Sequence, residues 1–90
     1  MPEKSAINKL LKKDVVIYTS SRLSFIGKLE AVDKAYYELS DLAVYDREVV
    51  RISLEEYIIE AQQNGITASA KRMLIPYDNV ICLTALKDLL

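Results

Sequence analysis

Apolar and polar residues alternate with a period of two along most of this chain, and helical spacing interrupts that alternation in two places. Val15, Val16 and Ile17 are β-branched, which predicts a first strand from Asp14 to Tyr18. Thr19-Ser20-Ser21-Arg22 is polar and reads as a hairpin turn. Leu23 to Val32 resumes as a second strand. Phe25, Gly27, Leu29 and Ala31 share one face, and Ile26, Lys28, Glu30 and Val32 share the other. An isolated glycine inside a strand marks a sharp bend or a close backbone approach, so Gly27 is the expected bend of a short sheet curling on itself.

Asp33-Lys34 is the next turn, and Ala35 to Tyr45 reads as a third strand. Tyr37 and Leu39 lie on one side, with Tyr36, Glu38 and Ser40 on the other, and the phase is less clean from Leu42 to Tyr45. Ile66 to Ile75 and Val80 to Thr84 are the expected fourth and fifth strands, joined by the turn Pro76-Tyr77-Asp78-Asn79. Ala85 to Leu90 is a short apolar tail.

The first helical interruption spans residues 3–13. Ala6, Ile7, Leu10 and Leu11 fall at helical spacing, with Lys9, Lys12 and Lys13 opposite. Lysines in a last turn suit the negative end of the helix dipole. Such a helix would cap one end of a barrel. The second interruption lies within residues 46–65. Ser53-Leu54-Glu55-Glu56 has capping-box form, Leu54, Tyr57, Ile58 and Ala61 follow at helical spacing, and Gly65 suits a helix stop. The spacing predicts a helix from Leu54 to Asn64. A β-hairpin is the rival, because Val49, Val50, Ile52, Tyr57, Ile58 and Ile59 also favour strands.

Ninety residues allow one domain, 1–90, and 51% apolar content with two glycines and two prolines is a folded composition. A net charge of −1 argues against a large basic nucleic-acid surface and leaves room for a local patch. The single cysteine, Cys82, excludes an internal disulfide and fits a reducing, cytoplasmic setting. Residues 7–11 are too short and too charged for a signal peptide, and no apolar run approaches the roughly 18 residues of a membrane span.

Val80-Ile81-Cys82-Leu83-Thr84 has no charge on either face. A strand apolar on both faces asks for cover on both, and at an open edge it would recruit another chain. Pairing with a second subunit satisfies it, and such head-to-tail contacts close into rings. A strand buried inside the monomer is the rival reading.

The frame Val15-x-Ile17, Gly27-x-Leu29, Asp33 and Asp78-Asn79-Val80 resembles the two-part motif of the Sm-like (LSm) family over most of residues 5–45 and 66–84. The insertion 46–65 lies outside the resemblance. The resemblance implies a mainly β fold, a small strongly bent five-stranded Sm-like barrel, to which the residue pattern adds an N-terminal α-helix and an inserted helix or hairpin between strands 3 and 4. It also implies a homo-oligomeric ring of about six to eight subunits, seven favoured, in which the fourth strand of one subunit pairs with the fifth of the next. Ile75, Val80, Ile81, Cys82 and Leu83 are the candidate interface. A chain of this pattern without histidine or tryptophan suits an archaeal source.

In that family uridine-rich RNA sits at the ring's inner rim, between turns of the form D-x-H-M-N and R-G-D. Here those turns are Asp33-Lys34-Ala35-Tyr36-Tyr37 and Pro76-Tyr77-Asp78. Asp33 and Asp78 match. Ala35 cannot stack, Tyr37 replaces the asparagine, Pro76 replaces the arginine, and Tyr77 replaces the glycine. A lost stacking partner costs about 1–3 kcal/mol per base. The uridine pocket is therefore expected to be altered, with Asp33, Lys34, Tyr37, Tyr77, Asp78 and Asn79 as candidates for a less selective single-stranded RNA site. The rival is a protein-only assembly module whose partner docks on 46–65. Lys12-Lys13 and Lys71-Arg72 read as solvated element ends that symmetry could combine into a nucleic-acid surface.

Enzyme chemistry is not expected. The chain has no histidine, no phosphate-cradling glycine loop, no metal-ligand spacing and no paired carboxylates, and Cys82 sits in an apolar strand. No cofactor is implied.

Overall fold

The computed structural model describes residues 6–89. Five strands, β1 (Asp14–Thr19), β2 (Leu23–Val32), β3 (Tyr36–Asp46), β4 (Ala70–Pro76) and β5 (Val80–Ala85), form one antiparallel sheet in the order β4-β3-β2-β1-β5. Helix α1 (Leu54–Asn64) lies between β3 and β4. The sheet is strongly bent around an inner core of Val15, Ile17, Phe25, Leu29, Leu39, Leu42 and Ile75.

Two bulges make the bend. On β2, residues 26 and 28 pair with residues 43 and 40 of β3, so β3 contains one residue too many. The surplus is accommodated at Asp41, which has φ 46, a left-handed conformation that aspartate tolerates better than most residues. This explains the unclean phase of the third strand. Leu39 and Leu42, three apart, both reach the inner core, which a regular strand would forbid. Gly27 sits opposite this bulge. A Cβ built on it would lie 2.5 Å from the Leu42 Cβ and 2.9 Å from the Leu42 Cα. Close backbone approach is therefore the reason for the glycine.

The second bulge puts the surplus residue on β2, at Glu30: Leu29 pairs with Leu39 and Ala31 with Glu38. The Glu30 carboxylate accepts hydrogen bonds from Lys12 Nζ, at 2.5 Å, and from the Ser40 hydroxyl. These two bonds hold its pKa down at about 2, against an ordinary 4.5. A carboxylate whose native pKa is depressed adds stability above its unfolded pKa and loses it as pH falls through the native value. Wild type should thus melt above Glu30→Gln at neutral pH. The difference in melting temperature should close between pH 4.5 and about 2; a gap independent of pH would show that the ion pair is not its source.

The helical elements depart from expectation in part. Residues 6–8 are helical, and a turn then runs through residues 9–12, so the N-terminal helix ends earlier than residue 13. Residues 3–5 lie outside the described residues. Lys12 is not in a helical last turn: it has φ 67, and its N–H donates to Leu29 O at 2.7 Å. The insertion forms the helix and not the hairpin. The Ser53 hydroxyl accepts from Glu56 N at 3.1 Å, the Glu56 carboxylate accepts from Ser53 N, and Gly65 caps the end at φ 86. β4 begins at Ala70, four residues later than the sequence pattern suggested, because residues 65–68 cross back from the helix without sheet pairing.

α1 is not an appendage. Ile58 and Ala61 bury against Val16 and Ile26, the outer face of β1 and β2, together with Leu86. Gln62 Nε2 donates to Leu86 O at 2.8 Å and to Leu89 O at 2.7 Å, tying the C-terminal turn to the helix. The bent sheet thus has both faces covered at β1 and β2.

Candidate nucleic-acid interface

The pairing of β3 with β4 sets Tyr36 opposite Pro76 and Tyr37 opposite Ile75. It therefore brings the turn after β2 beside the turn before β5. Tyr77 N–H donates to Ala35 O at 2.9 Å, and the Tyr77 hydroxyl donates to the Asp33 carbonyl. Asp33 N–H donates to Tyr36 O at 2.9 Å, and the Asp33 carboxylate accepts from Lys34 N at 2.7 Å. Two turns more than forty residues apart in sequence are thereby locked into one rim.

The Tyr37 and Tyr77 rings lie 4.6 Å apart, centre to centre, with 49° between their planes. That contact leaves no room for a base between them, so a base would stack on an outer ring face. Burial, the nearby Tyr37 and Asp33 push the Tyr77 hydroxyl above its ordinary pKa. It therefore stays a hydrogen-bond donor. Beside this pair opens a hollow of about 580 Å³, lined by Ile7, Asn8, Val32, Asp33, Lys34, Tyr37 and Tyr77.

Four of the six expected RNA-contact residues, Asp33, Lys34, Tyr37 and Tyr77, therefore meet in one place. Asp78 and Asn79 do not line it. They occupy the 3₁₀ turn Tyr77–Asn79, where the Asn79 carbonyl accepts from Ser20 N at 3.0 Å. Ile7, Asn8 and Val32 were not anticipated as site residues. Ile7 had shown itself only as part of an apolar helix face, and Asn8 carried no signal at all.

The interface candidates separate as clearly. Both β4 and β5 are outer strands of the sheet. Ile75 is 3% exposed and its side chain belongs to the inner core of its own chain. Val80 and Leu83 are half-buried against that same core. Ile81 is 68% exposed, Leu74 on β4 is 50% exposed, and the Cys82 thiol is open to solvent.

Among the described residues, no three His, Cys, Asp or Glu side chains gather as a metal site, and no helix is long and apolar enough to cross a membrane.

No family model matches the chain, and no curated protein matches it. Among solved structures it is similar to the Sm protein of Pyrococcus abyssii in complex with a uridine heptamer. The TM-score is 0.63 at 19% identity, over 91% of this chain and 94% of that one. Such a likeness at so low an identity shows a shared fold, the strongly bent five-stranded sheet of Sm proteins.

Proposed function

We propose that this chain assembles into an Sm-type homo-oligomeric ring and binds single-stranded RNA at the rim formed by Asp33, Lys34, Tyr37 and Tyr77, with less preference for uridine than a D-x-H-M-N pocket gives. The observation that carries this reading is the tyrosine pair beside an exposed lysine in an open hollow. Aromatic faces stack on any base, and a nearby ammonium meets phosphate. A uridine heptamer is bound by the Pyrococcus protein of the same fold. Ala35 and Pro76 here supply neither a stacking ring nor a cation, which supports loss of uridine selectivity. The unpaired outer strands, with Leu74 and Ile81 exposed, support association through β4 and β5.

Titration of labelled oligo-uridine and oligo-adenosine at two salt concentrations tests the site. Both should bind saturably, within a few-fold of each other. Tyr37→Ala/Tyr77→Ala should weaken both by about tenfold or more, the equivalent of about 1–3 kcal/mol per stacked base. No saturable binding of either strand at low salt would sink the proposal.

A protein-only assembly module is the second reading. It is favoured by the exposure of Val49 (71%) and Ile59 (44%) on the insertion. An intact ring that binds neither oligonucleotide would select it. Deleting the insertion cannot decide between the two, because α1 covers Val16 and Ile26.

A further inference from the structure

A second hollow, of about 790 Å³, opens away from the tyrosine rim. It opens where the inserted helix and the C-terminal turn meet the starts of β1 and β5's far end, and its floor is the buried trio Ala61, Ala85 and Leu86. Around it stand Lys12, Lys13, Lys28 and Lys87, opposed by one carboxylate, Asp14. Four of the chain's 12 basic residues thus line one hollow of a protein whose net charge is −1. Lys12 is engaged by Glu30, whereas Lys13, Lys28 and Lys87 form no ion pair among the described residues. Like charges gathered without partners repel one another, and an anion relieves that repulsion.

The walls are built and not loose. Gln62 braces the C-terminal turn with two hydrogen bonds, and Leu86 is packed on Val16, Ile26 and Ile58. The C-terminal end of α1 also faces the hollow at Gly65. Its partial charge of roughly −0.5 works against an anion there, so the phosphate position lies on the lysine side. An apolar floor beside a cationic rim fits an anion with a flat apolar body. The volume falls within the about 300–1,000 Å³ of small-ligand sites. An acidic peptide would use the rim and leave the floor empty.

We propose that this hollow is a nucleotide site, with a base on the Ala61–Ala85–Leu86 floor and its phosphate held by Lys13, Lys28 and Lys87. It is separate from the tyrosine rim and exists only because of the insertion. That the nucleotide belongs to an RNA strand rests on the reading above; a free nucleotide presents the same chemistry.

Lysine acetylation of the wild-type protein, read by mass spectrometry, tests it without any variant. Saturating oligo-adenosine should protect Lys13, Lys28 and Lys87, with Lys71 unaffected. Adenosine monophosphate forms a second arm: protection by both identifies a nucleotide site proper, and protection by the strand alone identifies a backbone site. In anisotropy titrations, Lys13→Ala/Lys28→Ala/Lys87→Ala should reduce the slope of log K against log[salt] by about 0.7, the share of one single-strand phosphate contact. Tyr37→Ala/Tyr77→Ala should leave the slope in place. Unprotected lysines with an unchanged slope, while wild type still binds RNA, overturn this site and spare the tyrosine rim. Protection by adenosine monophosphate with no strand binding spares this site and removes the RNA reading. Equal protection by oligoglutamate overturns the nucleotide assignment.

Discussion

Gly27→Ala is expected to cost about 3 kcal/mol, the upper part of the range for overpacking a core. For a domain of this size that lowers the melting temperature by roughly 15 °C, which circular dichroism would read directly. The new Cβ would meet the Leu42 Cβ at 2.5 Å, the Leu42 Cα at 2.9 Å and the Ser40 carbonyl oxygen at 3.1 Å. Two of these three are backbone atoms, so no side-chain rotamer relieves the clash. The β2–β3 bulge would have to open, and the bulge is what curls the sheet. Gly65→Ala is the control. There φ is 86 and ψ is 167, a conformation open essentially to glycine alone, but nothing lies within 4 Å, so the cost is backbone strain of about 1–3 kcal/mol without a clash. A Gly27→Ala protein melting with wild type would remove close packing as the reason for the bend.

Ile81→Lys is expected to convert the proposed ring into monomers. Ile81 is 68% exposed on β5, and among the described residues β5 has no strand on its outer side. The partner edge would be β4, which exposes Leu74 and also carries Lys71 and Arg72. A lysine at position 81 would place an unpaired ammonium in the contact, at a cost of several kcal/mol. Edge lysines are the device by which monomeric proteins prevent strand pairing. Native mass measurement should show six to eight subunits for wild type and one for the variant. A monomeric wild type would remove the ring, and an assembled variant would place the contact elsewhere.

The elements were legible because each has a local cause. The capping box Ser53 to Glu56 and the stop at Gly65 marked α1 to its ends. The β-branched run marked β1, and Gly27 marked the bend. What failed locally also has a physical reason. The phase slip from Leu42 to Tyr45 depends on Asp41 adopting φ 46, and no residue type announces a bulge by itself. The late start of β4 was hidden because Thr67, Ala68 and Ser69 suit a strand or a connection equally well.

The candidate site was partly legible for the same reason. Asp33, Lys34, Tyr37 and Tyr77 could be named from two turns with altered residues, but their meeting required β3 and β4 to pair in one register. That register also sets Tyr37 against Tyr77, ring centres 4.6 Å apart. The lysine hollow was out of reach. Lys12-Lys13 read as a solvated element end that symmetry could combine into a surface, and nothing singled out Lys28 or Lys87 as its neighbours.

By itself, the sequence determined the strand periods, the bend glycine and the caps of the insertion, which it left open between a helix and a hairpin, because periodicity and capping act within a few residues. Only the tertiary structure decided which turns share a rim, that Ile75 faces the inner core while Ile81 does not, and that α1 closes the outer face of the sheet over Val16 and Ile26 beside four lysines. Those outcomes depend on register and on single-residue bulges in the β2–β3 and β1–β5 pairings. A shift of one residue in a strand exchanges its faces, and no local pattern records it.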